Sequence, residues 1–553
     1  MSYFSSGKML SSKAFDSRIR SANVTNKERW IGFFLGPAGV IILNAIMGQY
    51  LNIYWTDVAK IGGLGGGLFL LVFPIVSKVV DAVTNIIMGR IIDSTRSRQG
   101  KARPWLIFAA PVIAISAVLS FSIPRASTTV QVIWILFSFN LYYSIGYTMY
   151  YMSHMMLVPL STRNTKQRDG VAMLSNMAMC LIPGFFVAML FPMMVLPRLG
   201  VDAGKWRMMV VIFSILVLPC MMLEYFFTKE RVTEETAELD NVKSVSFKEQ
   251  LKACFSSKYW VIFMAVYIIT QIATNIQNTS LLYYCNWVLG SYNDGITTTI
   301  VSAIGNFPLG IGIVIMWPLV KKFGKRNIME IGLVMAVVAG FTFCINPSNM
   351  TWVLVMLVVR AFGALPITYI MTAMLADALD HVEWKAGFRA DGISMSIYTI
   401  IFTVAAGIAQ GLFNFALTAF GYVPPAADGT VVEQTEVVKN FFVFGYQGLM
   451  AIALLISFIL FWNWKLDKEM PKIQKDLTDR HKAEAAAAGK VWMSPEEQAA
   501  LEQEKNDKIA EENRIKELKA KCAKKGLDFE EEEQKYQRKL AEEKAKKEAK
   551  KKK

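Results

Sequence analysis

The sequence predicts an all-α membrane protein: twelve transmembrane helices in two six-helix halves, followed by a charged helical tail. Three observations carry that expectation. Apolar residues make up 54% of the 553-residue chain, they gather into twelve long runs, and Lys and Arg collect in alternate loops. A bilayer core takes roughly 20 mostly apolar residues per spanning helix, and runs of that order recur here.

The runs lie near 31–54, 67–92, 105–124, 130–159, 170–195 and 207–228, then near 259–287, 297–320, 327–345, 350–378, 392–420 and 440–463. Residues 1–30 are polar and carry Lys8, Lys13, Arg18, Arg20, Lys27 and Arg29. That layout is not a cleaved signal peptide, so the first run is expected to stay as a span. The halves are then 31–228 and 259–463, joined by a charged connector, 229–258, and followed by a tail, 464–553. Paired halves of this kind are how many transporters are built.

Orientation follows from the basic residues. Odd-numbered loops hold only Lys60, Arg125, Arg198 and Lys205, whereas even-numbered loops hold 19 Lys and Arg, among them Arg96, Arg163, Lys166, Arg168, Lys325, Arg326, Lys385 and Arg389. The asymmetry places both termini in the cytoplasm and the chain in the cytoplasmic membrane. An internal echo agrees with two halves: Gly89-Arg90-Ile91-Ile92-Asp93-Ser94-Thr95-Arg96 after span 2 is matched by Lys321-Lys322-Phe323-Gly324-Lys325-Arg326 after span 8.

The formal net charge of +15 sits mostly in those loops and is not a nucleic-acid footprint. In the tail 25 basic residues nearly balance 21 acidic ones. With opposite charges three or four apart, the tail reads as a solvated helix-former without a core of its own, whose removal should leave transport intact. Six scattered cysteines show no pairing or metal-ligand spacing. No nucleophile–base constellation, phosphate loop or metal cluster is visible, which argues against an enzyme.

Asp81 is the most informative residue, because it lies inside span 2. A carboxylate at that depth costs roughly 2.5–3.5 kcal/mol even on insertion scales, so it ordinarily serves a cavity. At 100° per residue, Lys78, Asp81, Thr84 and Asn85 share one side of the helix. They offer a small cation a carboxylate, a hydroxyl and an amide oxygen, all hard ligands. The alternative is a Lys78–Asp81 ion pair that neutralises itself. In span 4, Tyr147, Tyr151 and His154 form a stripe with Thr148 beside them. The tyrosines either stack on a sugar ring or pack, and His154 either bonds a neighbouring helix or relays protons. Span 7 is polar for its setting, with Gln271, Asn275, Gln277, Asn278 and Thr279, which would line a pocket or join helices.

The segment Asp81-(x)7-Gly89-(x)3-Asp93-Ser94-Thr95-Arg96-(x)3-Gly100-Lys101-Ala102-Arg103-Pro104-Trp105 closely resembles the glycoside–pentoside–hexuronide:cation symporters, the family of the melibiose permeases. Tyr54-Trp55-Thr56-Asp57 at the end of span 1, Leu157-Val158-Pro159 in span 4, and Asp377-(x)2-Asp380-His381-Val382-Glu383-Trp384-Lys385-(x)3-Arg389-Ala390-Asp391-Gly392 agree with it. The resemblance covers all twelve spans but not the tail.

It implies a major facilitator fold and cation-coupled uptake of a sugar or glycoside, with Na⁺ or H⁺ as coupling ion and no other cofactor. The implied cation site is Asp81, Thr84, Asn85 and Thr148. Tyr147, Tyr151, Asn176, Gln271, Asn275, Thr368 and Thr403 are the substrate candidates. The implied gate is Arg168 reaching Asp380 and Glu383, with Arg389 on Asp377, closing the inner face when the site opens outward. Departures from the family are concentrated in the pocket. Asn85 replaces a second carboxylate, and Thr84 the intervening Asn. Gly36-Pro37-Ala38-Gly39 lacks the family's Asp. Ile41 and Tyr151 stand where the melibiose permeases carry Asp, Asn176 where they carry Arg, and Thr403 where they carry Lys. A neutral pocket suits hydroxyl-rich ligands better than carboxylates. A monomer is expected. A transporter of another solute, or a membrane sensor that has lost transport, would also fit these substitutions.

Overall fold

The computed structural model describes residues 12–61, 68–95, 97–232, 246–292, 294–426, 430–487, 489, 492–493 and 495–551. Lys8, Arg96, Lys243 and the side chains of Asp93, Lys321 and Asp391 lie outside that description. Among the described residues there is helix and no strand. Eleven helices among the described residues are long and apolar enough to cross a membrane. These are α1 (Glu28–Val58), α2 (Leu68–Ser94), α3 (Arg103–Ser120), α4 (Thr128–Ser161), α5 (Thr165–Leu199), α6 (Ala203–Phe227), α7 (Lys258–Leu289), α9 (Lys325–Phe343), α10 (Met350–Ala386), α11 (Asp391–Ala419) and α12 (Glu436–Trp462). Between α7 and α9 runs α8 (Gly295–Phe323), helical over 29 residues, at the position expected of the eighth span. Ser21, before α1, and Glu517, beyond α12, meet on one face of the bundle, called here the terminal face; the other is the far face.

Hydrocarbon cannot hydrogen-bond a bare backbone, which is why the spans are helical throughout. Pro37, Pro74, Pro111, Pro159, Pro192, Pro219, Pro308, Pro318 and Pro366 are accommodated within or at the start of helices. Short stretches of wider π turn interrupt α1, α4, α5, α7 and α12. One of them, Leu141–Tyr147, falls beside Asp81.

The halves meet along two seams, α2 against α11 and α5 against α8. Small residues make the first seam possible. The Gly407-Ile408-Ala409-Gln410-Gly411 run of α11 lies so close to α2 that a methyl at Gly407 would sit 2.7 Å from the Pro74 carbonyl oxygen, and one at Gly411 would run into that of Leu71. At the second seam the Thr299 hydroxyl donates to the Met189 carbonyl at 2.9 Å.

The tail departs from expectation. Helix α13 (Leu466–Ala487) is not a solvated appendage, because Leu466, Met470, Ile473 and Leu477 are buried in the core of the C-terminal half. Their spacing is that of one helix face, and each such burial is worth roughly 1.5–3 kcal/mol. Arg480 donates to the Glu383 and Trp384 carbonyls at the end of α10. Beyond it, α14 (Pro495–Lys525) and α15 (Phe529–Lys551) pair through Arg514, which bridges Glu511 and Glu533. The segment before α1 is also held: Tyr225 donates to the Phe15 carbonyl and Ser17 to that of Thr228.

The seam generates a test. Gly411→Ala should lower the thermal unfolding midpoint of the purified protein, since overpacking a tight contact costs about 1–3 kcal/mol. Gly48→Ala, in α1 with no atom near its added methyl, should leave the midpoint unchanged or raise it slightly. Equal midpoints for the two variants would count against the close seam.

Candidate coupling and gating sites

Among the described residues, three buried carboxylates away from the terminal face, Asp81, Glu224 and Asp57, have partners that define what each can do. Asp81 is 5% exposed on the inward side of α2, in line with Ser77, Met88 and Ile92. The Lys78 ammonium donates to its Oδ2 at 2.7 Å, and the Ser144 hydroxyl donates to its Oδ1. Lys78 also stands over the Tyr143 ring, 4.5 Å from its centre. Both open possibilities at this position therefore meet in one place: the ion pair is made, and any cation bound to Asp81 would share its carboxylate with the Lys78 ammonium.

The remaining cation candidates are not gathered on Asp81. Thr84 turns its hydroxyl to the carbonyls of Val80 and Asp81 in its own helix. Thr148 donates to the Tyr143 carbonyl at 3.0 Å, within the π turn of α4. Asn85 is half-buried with no hydrogen-bond partner among the described residues. Ser144, which the sequence reading passed over, is the side chain that reaches Asp81. Its only signal was its place four residues before Thr148.

Glu224, in α6, also escaped the sequence reading. It is fully buried, and its Oε1 lies 2.6 Å from His154 Nδ1, while His154 Nε2 lies 2.8 Å from the Ser175 hydroxyl. His154 thus ties α4 to α5 and α6 inside the N-terminal half. It does not share a surface with the tyrosines, so the expected Tyr147–Tyr151–His154 stripe divides. Tyr147 and Tyr151 stack with ring centres 5.7 Å apart, and Tyr151 is exposed.

Among the other pocket candidates, Asn176 and Thr368 are exposed, whereas Gln271, Asn275 and Thr403 are half-buried. Asn275, Thr368 and Thr403 bond only to carbonyls of their own helices. These residues are dispersed over α4, α5, α7, α10 and α11; among the described residues, the hydrogen-bond and ring contacts between them are the tyrosine stack and the Asn275–Gln271 bond. Gln277 is instead structural, accepting from Arg360 of α10 at 3.3 Å.

The third carboxylate, Asp57, joins the halves at the far face. It is fully buried at the end of α1 and accepts from Tyr292 at 3.1 Å and Tyr422 at 3.0 Å, both of the C-terminal half. Its neighbour Thr56 donates to it at 2.7 Å. One turn back, Asn52 donates to the Tyr283 hydroxyl at 3.1 Å, which also lies 2.9 Å from Thr56 Oγ1. Burial and the neighbouring carboxylate push the Tyr292 and Tyr422 phenols far up, so both remain protonated donors. The Tyr-Trp-Thr-Asp motif marked this place in the sequence, but its tyrosine partners, more than two hundred residues away, carried no signal.

At the terminal face, with the far face closed, the charged groups have partners other than the pairs expected when the site opens outward. Asp377 bonds Lys325 at 2.5 Å rather than Arg389. Arg389 lies 3.2 Å from Glu383 and 3.5 Å from Asp380. Arg168 makes no ion pair across to Asp380 or Glu383; the other oxygen of Glu383 is taken by His481 of α13 at 2.7 Å. Within the N-terminal half, Glu230 accepts from the backbone amides of Lys101, Ala102 and Arg103 at the start of α3, and Glu28 pairs with Arg231 at 2.8 Å.

Comparisons with known proteins agree with this architecture. The isoprimeverose transporter of Lactiplantibacillus pentosus is 27% identical over 464 residues, covering 80% of this chain and 90% of the relative. The inner membrane symporter YicJ of Escherichia coli strain K12 is 25% identical over 452 residues, covering 80% and 92%. A bacterial homolog of the human lysosomal transporter Spinster, solved inward-facing and unoccupied, superposes with a TM-score of 0.53 at 12% identity, over 82% of this chain and 99% of that one, and so shares the fold. The family model described as MFS/sugar transport protein matches residues 32–468, and the chain belongs to that family of membrane transporters, as its likeness to the glycoside–pentoside–hexuronide:cation symporters implied.

Proposed function

We propose that the protein moves a sugar or neutral glycoside across the cytoplasmic membrane together with a cation, Na⁺ or H⁺, by alternating access. The observation that carries this reading is Asp81, a buried intramembrane carboxylate whose partners among the described residues are one ammonium and one hydroxyl. A cation arriving at Asp81 competes with Lys78 for the same oxygen. Substrate and cation then raise each other's affinity through one coupling free energy. The Lys and Arg asymmetry of the loops puts the terminal face in the cytoplasm.

The substrate class is read from the candidate pocket and from a relative. Tyr147, Tyr151, Asn176, Gln271, Asn275, Thr368 and Thr403 all donate or accept without charge, which matches hydroxyls. The isoprimeverose transporter shows that a relative of this length handles a sugar. Asp57 with Tyr292 and Tyr422 acts as the outer gate, and Arg168, Asp377, Asp380, Glu383 and Arg389 as the inner one. The protein works as a monomer.

Counterflow in proteoliposomes with a panel of labelled glycosides, with and without Na⁺, tests the proposal; no exchange of any sugar would overturn it. Asp81→Asn should abolish uphill accumulation driven by a cation gradient while leaving the protein inserted. Wild-type accumulation in that variant would remove Asp81 from the coupling site.

The outer gate gives a second expectation. Hydrogen bonds to a charged acceptor are worth about 1.5–3 kcal/mol each. Replacing both phenols (Tyr292→Phe with Tyr422→Phe) should therefore favour opening of the far face by tenfold or more. Amide hydrogen exchange over residues 54–61 would report it, and unchanged exchange would show that the gate is held elsewhere.

A further inference from the structure

The tail contacts both halves on the terminal face. Helix α13 is seated on the C-terminal half, where His481 holds Glu383 and Asp476 accepts from Trp384 at 3.1 Å. Helix α14 is seated on the N-terminal half, at the loop between α4 and α5. Asp507 accepts from Asn164 at 2.8 Å and pairs with Lys166, the Gln503 amide oxygen accepts from the Thr165 backbone at 3.0 Å, and Asn506 donates to the Arg163 carbonyl at 3.2 Å. Further along, Asn23 donates to the Ala510 carbonyl, and Glu517 accepts from Ser21 and from the Ala22 amide. The Lys166 and Asn164 contacts hold the Asp507 carboxyl below its ordinary range.

From these contacts we propose that α14 is a releasable strap, which holds the halves apart on the terminal face and must undock before that face can close. The inference rests on the gating reading above. Closing requires the Arg168 loop to approach Glu383, and both already have tail partners: residues 163–166 are occupied by α14, and Glu383 by α13. The docking contacts differ in kind from those of α13: they are polar and largely exposed, whereas α13 is anchored by a buried apolar face. Undocking α14 therefore exposes little apolar surface, as a reversible switch needs.

Because alternating access links the faces, freeing the terminal face to close lets the far face open. Hydrogen exchange of the full-length protein in lipid nanodiscs, with no substrate and no gradient, reads this at residues 54–61 and 283–292. A chain ending at Ala487, and the charge reversal Asp507→Lys, should each raise exchange there severalfold. Adding Lys166→Asp to Asp507→Lys restores the pair and should return exchange to the wild-type level. Unchanged exchange in the shortened chain, or exchange that stays high in the double variant, would overturn the strap. Counterflow tests the transport reading separately, since the exchange measurement involves neither substrate nor cation gradient.

Discussion

A carboxylate in the hydrocarbon of a membrane must be partnered, and where its partners come from decides what may move. Three of the buried acids among the described residues, Asp81, Glu224 and Asp57, differ in that respect. Asp81 is satisfied by Lys78 of its own helix and Ser144 of α4. Glu224 is satisfied by His154, within the same six-helix half. Asp57 alone takes its outside partners from the other half. Rigid-body rocking preserves the first two sets of contacts and must break the third. The polar chemistry thus separates a rigid half from a separable interface without reference to any particular substrate.

The two faces are fastened by unlike means. At the far face the bonds are few and buried, and they close against aromatic walls formed by Tyr283, Trp287, Tyr292 and Tyr422. Breaking them admits water to a carboxylate that loses two protonated phenols at once, so the gate should open as a unit. At the terminal face the pairs are more exposed and are shared with the tail. Glu383 is the shared point, held by Arg389 from the α10–α11 loop and by His481 from α13. The residue the family motif marks as a gate is thus also where the segment outside the family's reach is attached.

Much of the fold was legible because bilayer crossing leaves a strong one-dimensional signal. Twelve apolar runs, a basic bias in alternate loops and one buried Asp fixed the number of spans, the halves and Asp81. What escaped was long-range pairing. Glu224 stood in plain view in an apolar run, yet its partner is seventy residues away on another helix. The tyrosines that hold Asp57 read as ordinary interfacial aromatics. Composition misled in the tail, where charge balance suggested a solvated helix while Leu466, Met470, Ile473 and Leu477 already spelled an apolar face. The gate pairs depend on state as well as sequence: the far face is closed here, Asp377, Asp380 and Glu383 have Lys325, Arg389 and His481 as partners, and sequence order does not decide among acceptors about one turn apart.

The pairing of Lys78 with Asp81 constrains any coupling mechanism at that site. As observed, the pair is electrically neutral, which is how a low-dielectric site tolerates charge. Binding Na⁺ or H⁺ at Asp81 while Lys78 stays in place would leave one net positive charge with its solvation removed. On the coupling proposal, Lys78 must then swing to another acceptor or toward water, and the Tyr143 ring already provides a cation-stabilising face on that path. Asn85, half-buried one turn along α2, offers an amide oxygen to either the incoming ion or the displaced ammonium. The replacement of a carboxylate by Asn85 is then consistent with the lysine: with a built-in cation beside Asp81, one negative charge suffices to keep the empty site neutral.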